Sequence, residues 1–262
     1  MWRKHKQRKM LKSFNFHLGS HTGQGCIGME AVKADWGASY EKKLLISALI
    51  KFFSGVLLVG LLLFPAAGSF AFWQAWLFMA VLFIPMFVAG LILMKKNPSL
   101  LRKRLNAKEE QLEQKEVVLF SGLMFLSSFI IAGLNFRFSW LVMPAWVTFL
   151  GTVLFLLAYA LYAEVLRENE YLSRTIEVQE GQKVVDTGLY GIVRHPMYMA
   201  TVLLFLSMPI ILGSLFSFVI MLVYLPIIAK RIRNEEQVLE EGLAGYKQYK
   251  ERVKYRIIPF VW

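Results

Sequence analysis

The sequence is poor in cysteine, histidine and charge. Its single cysteine, Cys26, excludes an internal disulfide. With only His5, His17, His21 and His195 beside it, no Cys/His ligand cluster for a metal can be assembled. No Gly-rich dinucleotide fingerprint follows a strand-like run, and there is no internal repeat or low-complexity tract. No apolar core follows the basic start soon enough for a secretory signal. Charged residues make up only 18% of the chain, too few to cover a soluble domain of this size.

What is abundant is apolar. The hydrophobic set supplies 56% of the 262 residues, and mean hydropathy is +0.48. Much of the chain must therefore face lipid or other spans. Apolar blocks run over about 44–64, 72–94, 117–136, 140–163, 197–212 and 214–229. A span needs roughly 20 apolar residues, which the first four blocks satisfy. The last two are shorter, are parted by Gly213 and Ser214, and read as a tight helical hairpin that Pro209 and Pro226 can kink.

The net charge of +12 could suit nucleic acid, but its distribution does not. Lys and Arg gather in the N-terminal tail, in 95–115, around 167–194 and from Lys230 onward. With six spans all four clusters fall on one face, so both termini are expected in the cytoplasm. The fold class expected is all-α: a polytopic bundle of about six spans with a cytoplasmic cap and a C-terminal helix. Residues 1–43 read as a disordered basic tail, with Met29 a second candidate start. Residues 44–163 read as the N-terminal transmembrane helices, and 164–262 as the catalytic region. Lys230 to Arg252 reads as one charged helix leaving the hairpin.

Three stretches hold the polar chemistry. Arg194, His195, Pro196, Met197 and Tyr198 stand where the cap meets the fifth span. Pro196 suits a first helical position, and the free N–H groups there attract an anion. The plain alternative is a snorkelling arginine and an interfacial tyrosine. Arg231 and Glu235, four apart, share one helical face, although most such pairs only support a helix weakly. The tail from Gly245 to Pro259 is basic and aromatic, as a segment lying on anionic lipid would be.

In their order and spacing these pieces resemble the isoprenylcysteine carboxyl methyltransferase and phospholipid methyltransferase group of integral membrane enzymes. The resemblance covers about 169–262. It rests on Asn169 to Ser173, Gln179 to Gly181, Val185 to Tyr190, Arg194 to Tyr198, Arg231 to Glu236, Gly245 with Tyr246, and Val253 to Pro259. It implies S-adenosylmethionine as cofactor and a lipophilic acceptor reached from the bilayer. It further implies cofactor contacts at Gln179, Gly188, Tyr190, His195, Pro196, Tyr198, Glu235 and Glu236, with Arg231 and Glu235 at the reacting group. A carboxylate acceptor would need only orientation by Arg231, whereas an amine or thiol would need a base, for which Glu235 is nearest. The stretch from Leu239 to Tyr246 departs from the Phe-Gly form of the prenylcysteine enzymes, so the acceptor stays open. A membrane reductase of the sterol reductase type, using NADPH, and a lipid-binding scaffold are the competing readings.

Overall fold

The computed structural model describes residues 24–105, 112–172, 176 and 178–262. The chain divides into two compact units, Met1–Ser47 and Ala48–Trp262. Helix α1 (Gln24–Ala67) starts inside the stretch read as a tail, over residues such as Met29, Glu30 and Ala31 that favour helix. Residues 1–23, with the basic run and three of the four histidines, lie outside the described residues.

In the second unit the elements follow the apolar blocks. After α1 come α2 (Trp73–Lys96), the short α3 (Pro98–Leu105), α4 (Leu112–Phe138) and α5 (Ala145–Glu168). The last third holds α6 (Pro196–Ile211), α7 (Leu215–Met221), α8 (Tyr224–Gly242) and α9 (Tyr246–Arg252). Five helical stretches are long and apolar enough to cross a bilayer: Lys42–Ala67, Trp73–Lys96, Glu116–Phe138, Ala145–Glu168 and Leu215–Gly242. The shorter α6 is the sixth apolar helix. The chain is a multi-pass integral membrane protein with an all-helical bundle. Ile50, Leu57, Ile84, Phe149 and Leu157 are exposed, as lipid-facing side chains must be.

Three boundaries differ from the sequence reading, each for a local reason. The fourth span starts at Ala145 rather than near Trp140, because Pro144 sits extended at its N-cap. The second arm of the hairpin is two helices. Pro226 has no N–H for the Leu222 carbonyl four residues back, and the chain turns at Leu222 and Val223 before α8 begins. The charged segment also breaks: α8 stops at Gly242, Gly245 takes φ +87°, and α9 sets off anew.

The core lies where α1, α2, α4, α5 and α6 meet, filled by Leu63, Phe72, Phe78, Phe129, Phe155 and Met208. Helices α5 and α6 come close enough that a Cβ on Gly151 would stand 2.8 Å from Ile210 Cγ2, so a small residue is needed there. Ser128 and Ser217 tie α4 to α7 with hydroxyls 2.6 Å apart. The α5–α6 pairing carries the polar segments to one end of the bundle, where the site forms.

Candidate functional site: a cleft at the end of the last hairpin

The cap is fastened before it can shape anything. Glu168, the last residue of α5, accepts the Leu189 N–H with both carboxylate oxygens, at 3.1 and 3.3 Å. This fixes the 3-10 turn Gly188–Gly191. A side chain at 188 would put its Cβ 1.5 Å from Glu168 Oε1, and φ there is +51°, so only glycine fits. Asn169 Nδ2 donates to the Tyr190 hydroxyl at 2.9 Å, and Tyr249 Oη donates to the Tyr190 carbonyl at 2.7 Å. One tyrosine thus joins α5, the cap and α9.

The start of α6 is held by the closing segment of the chain. Arg194 N–H donates to the Tyr255 carbonyl at 2.9 Å and His195 N–H to that of Arg256 at 2.8 Å. Pro196 opens the helix where no amide partner is needed. Beneath them Glu236 is a buried hub, about 4% exposed. Its Oε1 accepts Arg194 Nε and Nη2, both at 2.8 Å, with His195 Nε2 at 3.4 Å. Its Oε2 accepts Arg256 Nε and Nη2 at 3.0 and 2.9 Å. Arg194 also donates to the carbonyls of Val253 and Lys254. A carboxylate so buried is tolerable only because every lone pair is met.

Beside this hub opens a cleft of about 830 Å³, a volume that includes its mouth. Tyr198, Arg231 and Glu235 stand together on one wall: Arg231 Nε donates to Tyr198 Oη at 3.0 Å, and Tyr198 Oη donates to Glu235 Oε2. The His195 ring stacks on Tyr198 with centroids 5.7 Å apart. The cleft is also lined by Tyr190, Tyr246 and Tyr249. Burial pushes all three phenols up from the ordinary tyrosine value, so they stay protonated and none can serve as a base. Among the described residues the buried Tyr246 hydroxyl has no hydrogen-bond partner. An unmatched buried hydroxyl is costly.

Of the residues singled out from sequence, Arg231, Glu235, Tyr190, His195 and Tyr198 line the cleft. Glu236, Gly188, Pro196 and Gln179 stand behind its surface. Glu236 is occupied by Arg194, His195 and Arg256, Gly188 gives room to Glu168, and Gln179 Nε2 donates to the Tyr171 carbonyl. Ser173, which closes one of the motifs, lies outside the described residues. Sequence reasoning missed Tyr246 and Asn169 as cleft residues, although both sit in quoted motifs. It also missed Arg256, whose role depends on a return of the chain end to α6 that no local spacing announces.

Comparison with known proteins matches part of the chain. A stretch of 91 residues, 34% of the chain, is 33% identical to the Delta(14)-sterol reductase TM7SF2 of Mus musculus; it covers 22% of that protein, so the chain spans well under two thirds of its length. Residues 146–245 match the family model described as phospholipid methyltransferase, and Tyr198, Arg231 and Glu235 all fall inside the match. Over this region the chain is similar to the phospholipid methyltransferases, integral membrane methyltransferases related to the isoprenylcysteine enzymes.

Proposed function

We propose that the chain transfers a methyl group from S-adenosylmethionine to a lipophilic acceptor, the cofactor arriving from the cytoplasm and the acceptor from the bilayer. The observation that carries this reading is the Arg231–Tyr198–Glu235 array inside the cleft, within the family-matched segment. The orientation with both termini cytoplasmic is part of the same proposal, supported by the basic loops.

The residues fit the cofactor. Glu235 offers a carboxylate to an ammonium group, His195 and Tyr198 offer stacked rings, and the Tyr246 hydroxyl offers an unused polar contact. When bound, S-adenosylmethionine supplies an electrophilic methyl carbon on a sulfonium. Glu235, His195 and Tyr198 would hold that group, and Arg231 would orient the acceptor toward its methyl carbon. The protein's work is to hold the acceptor in line and exclude water.

Arg231 suits an acceptor carboxylate, which is nucleophilic already and needs only orientation. The isoprenylcysteine carboxyl group is therefore the favoured acceptor. A phospholipid amine is the alternative, with Glu235 taking the proton. In either case Tyr198 holds the cation and the carboxylate in register. Glu236 acts at a distance by fixing the frame of Arg194, His195 and Arg256.

A second reading rests on the identity with the Delta(14)-sterol reductase: an NADPH-dependent reductase of a membrane lipid. Calorimetry on detergent-purified protein separates the two. Binding of S-adenosylmethionine below millimolar concentration, with transfer of labelled methyl to a lipid fraction, supports the first reading. Binding of NADPH alone overturns it.

A further inference from the structure

On its way to the 3-10 turn the cap runs along the edge of the cleft, and its course there is fixed. Gln179 N–H donates to Gln182 Oε1 at 2.9 Å, and Gln182 N–H donates back to the Gln179 carbonyl at 3.0 Å. The residues just beyond are packed inward: Val184 against the cluster of Leu243, Tyr246 and Tyr249, and Val185 against that of Val165, Leu172 and Tyr190. Lys183 stands between these two anchors, exposed to water and lining the cleft. Among the described residues it forms no hydrogen bond and no ion pair. Asp186, the acid three positions on, is held by Arg252. Of the other basic side chains lining the cleft, Arg194 and His195 meet Glu236 and Arg231 meets Tyr198. A fixed backbone therefore presents an uncompensated ammonium group at the mouth.

We infer that Lys183 is a specificity residue for the cofactor and receives the carboxylate of its methionyl end. This role presupposes S-adenosylmethionine as the cofactor and adds a second charged contact to the one proposed at Glu235. The methionyl end carries an ammonium and a carboxylate on one carbon, so the cleft that holds it needs an anion and a cation. Glu235 supplies the first and Lys183 the second, both on the lining of the same cleft. A charge-assisted contact of this kind is stronger than a neutral one, although water at the mouth screens it. The acceptor is a poorer match for this lysine. It arrives from the bilayer, whereas Lys183 belongs to the cap and not to any helix long enough to cross the membrane.

Calorimetry on the full chain in detergent tests this without turnover, with S-adenosylmethionine set against its decarboxylated analogue. The two ligands share the sulfonium, the ammonium and the adenosine and differ only in the carboxylate. The wild type is expected to bind S-adenosylmethionine about fivefold more tightly, the upper scale of an exposed ion pair. Raising salt from about 0.05 M to about 0.5 M is expected to narrow that ratio. Lys183→Gln is expected to bring the ratio near unity by weakening S-adenosylmethionine alone, Lys183→Arg to keep it, and Lys183→Glu to favour the analogue. Equal binding of the two ligands by the wild type overturns the proposal. So does a ratio that survives in Lys183→Gln, or an equal loss of both ligands there. In each of these cases the wild type still binds S-adenosylmethionine, and the methyltransferase reading stands. A wild type that binds neither ligand overturns both.

Discussion

The Tyr198 phenol receives Arg231 Nε at 3.0 Å and passes its own proton toward Glu235, so a helix N-terminal tyrosine couples two side chains of another helix. Without the phenol, Arg231 and Glu235 would still share a face but would lose the hydroxyl that links them. Tyr198→Phe is therefore expected to lower kcat about 100-fold, the scale of a misplacement near 1 Å, with cofactor affinity reduced much less. Single-turnover methyl transfer beside calorimetry measures both. Equal loss in both would mean that Tyr198 serves the cofactor alone.

Adjacent glutamates should behave as opposites. Glu236→Ala leaves Arg194 buried without its anion and is expected to cost about 3–5 kcal/mol of stability. Glu235→Gln alters the cleft wall and is expected to leave stability within about 0.5 kcal/mol while weakening S-adenosylmethionine about 10-fold. Thermal unfolding in detergent and cofactor titration of the two variants give the four numbers. A stable Glu236→Ala protein would contradict the hub.

Tyr246→Phe removes a buried hydroxyl that has no partner among the described residues. The cofactor-free protein is expected to be as stable as the wild type or more so, since an unmatched hydroxyl costs about 1–3 kcal/mol. Cofactor affinity is expected to fall by about 1 kcal/mol, or fivefold. Opposite signs in the two measurements mark a ligand contact, whereas a loss of stability would assign the hydroxyl to the fold.

Alkaline pH offers a fourth check. Burial raises the phenols of Tyr190, Tyr246 and Tyr249 above their ordinary value of 10.0. Above that pH the unfolded chain loses these protons while the folded one keeps them, so stability is full below about pH 10 and falls as pH rises further. Unfolding between pH 9 and 11 should be less steep in pH when any one of the three is replaced by Phe. An unchanged slope would mean that these phenols ionise in the folded protein.

The bundle was legible because hydropathy is additive along a chain: four long apolar blocks became four spans, and the hairpin tip fell at Gly213 and Ser214. The division of the hairpin's second arm was harder to see, since Pro226 breaks the helix only where the turn before it can re-pair the Leu222 carbonyl, here with the Leu225 N–H at 3.0 Å. Arg231, Glu235, His195 and Tyr198 were legible as a set through their resemblance to a family. Their division of labour with Glu236 was not. One residue's difference is a rotation of 100° about the helix, and which side of α8 faces the cleft depends on where the chain end returns. Tyr246 was read as an interfacial aromatic for the same reason, because its burial draws on Val178 and Val184, which are distant in sequence.

Helix α8 carries two stripes side by side. Tyr224, Ile228, Ile232 and Glu236 recur at intervals of four and are buried, and Arg231 and Glu235 each come one position before a member of that row. The row that seats the helix is thus also its clockwork, since any slip of the seat turns both working side chains through the same angle. A one-residue insertion between Met221 and Pro226 falls at the existing turn; one between Pro226 and Arg231 would rotate the pair out of register with Tyr198. The stretch from Pro226 to Glu236 therefore has a fixed length, while the connections on the far side of the bundle are free to lengthen.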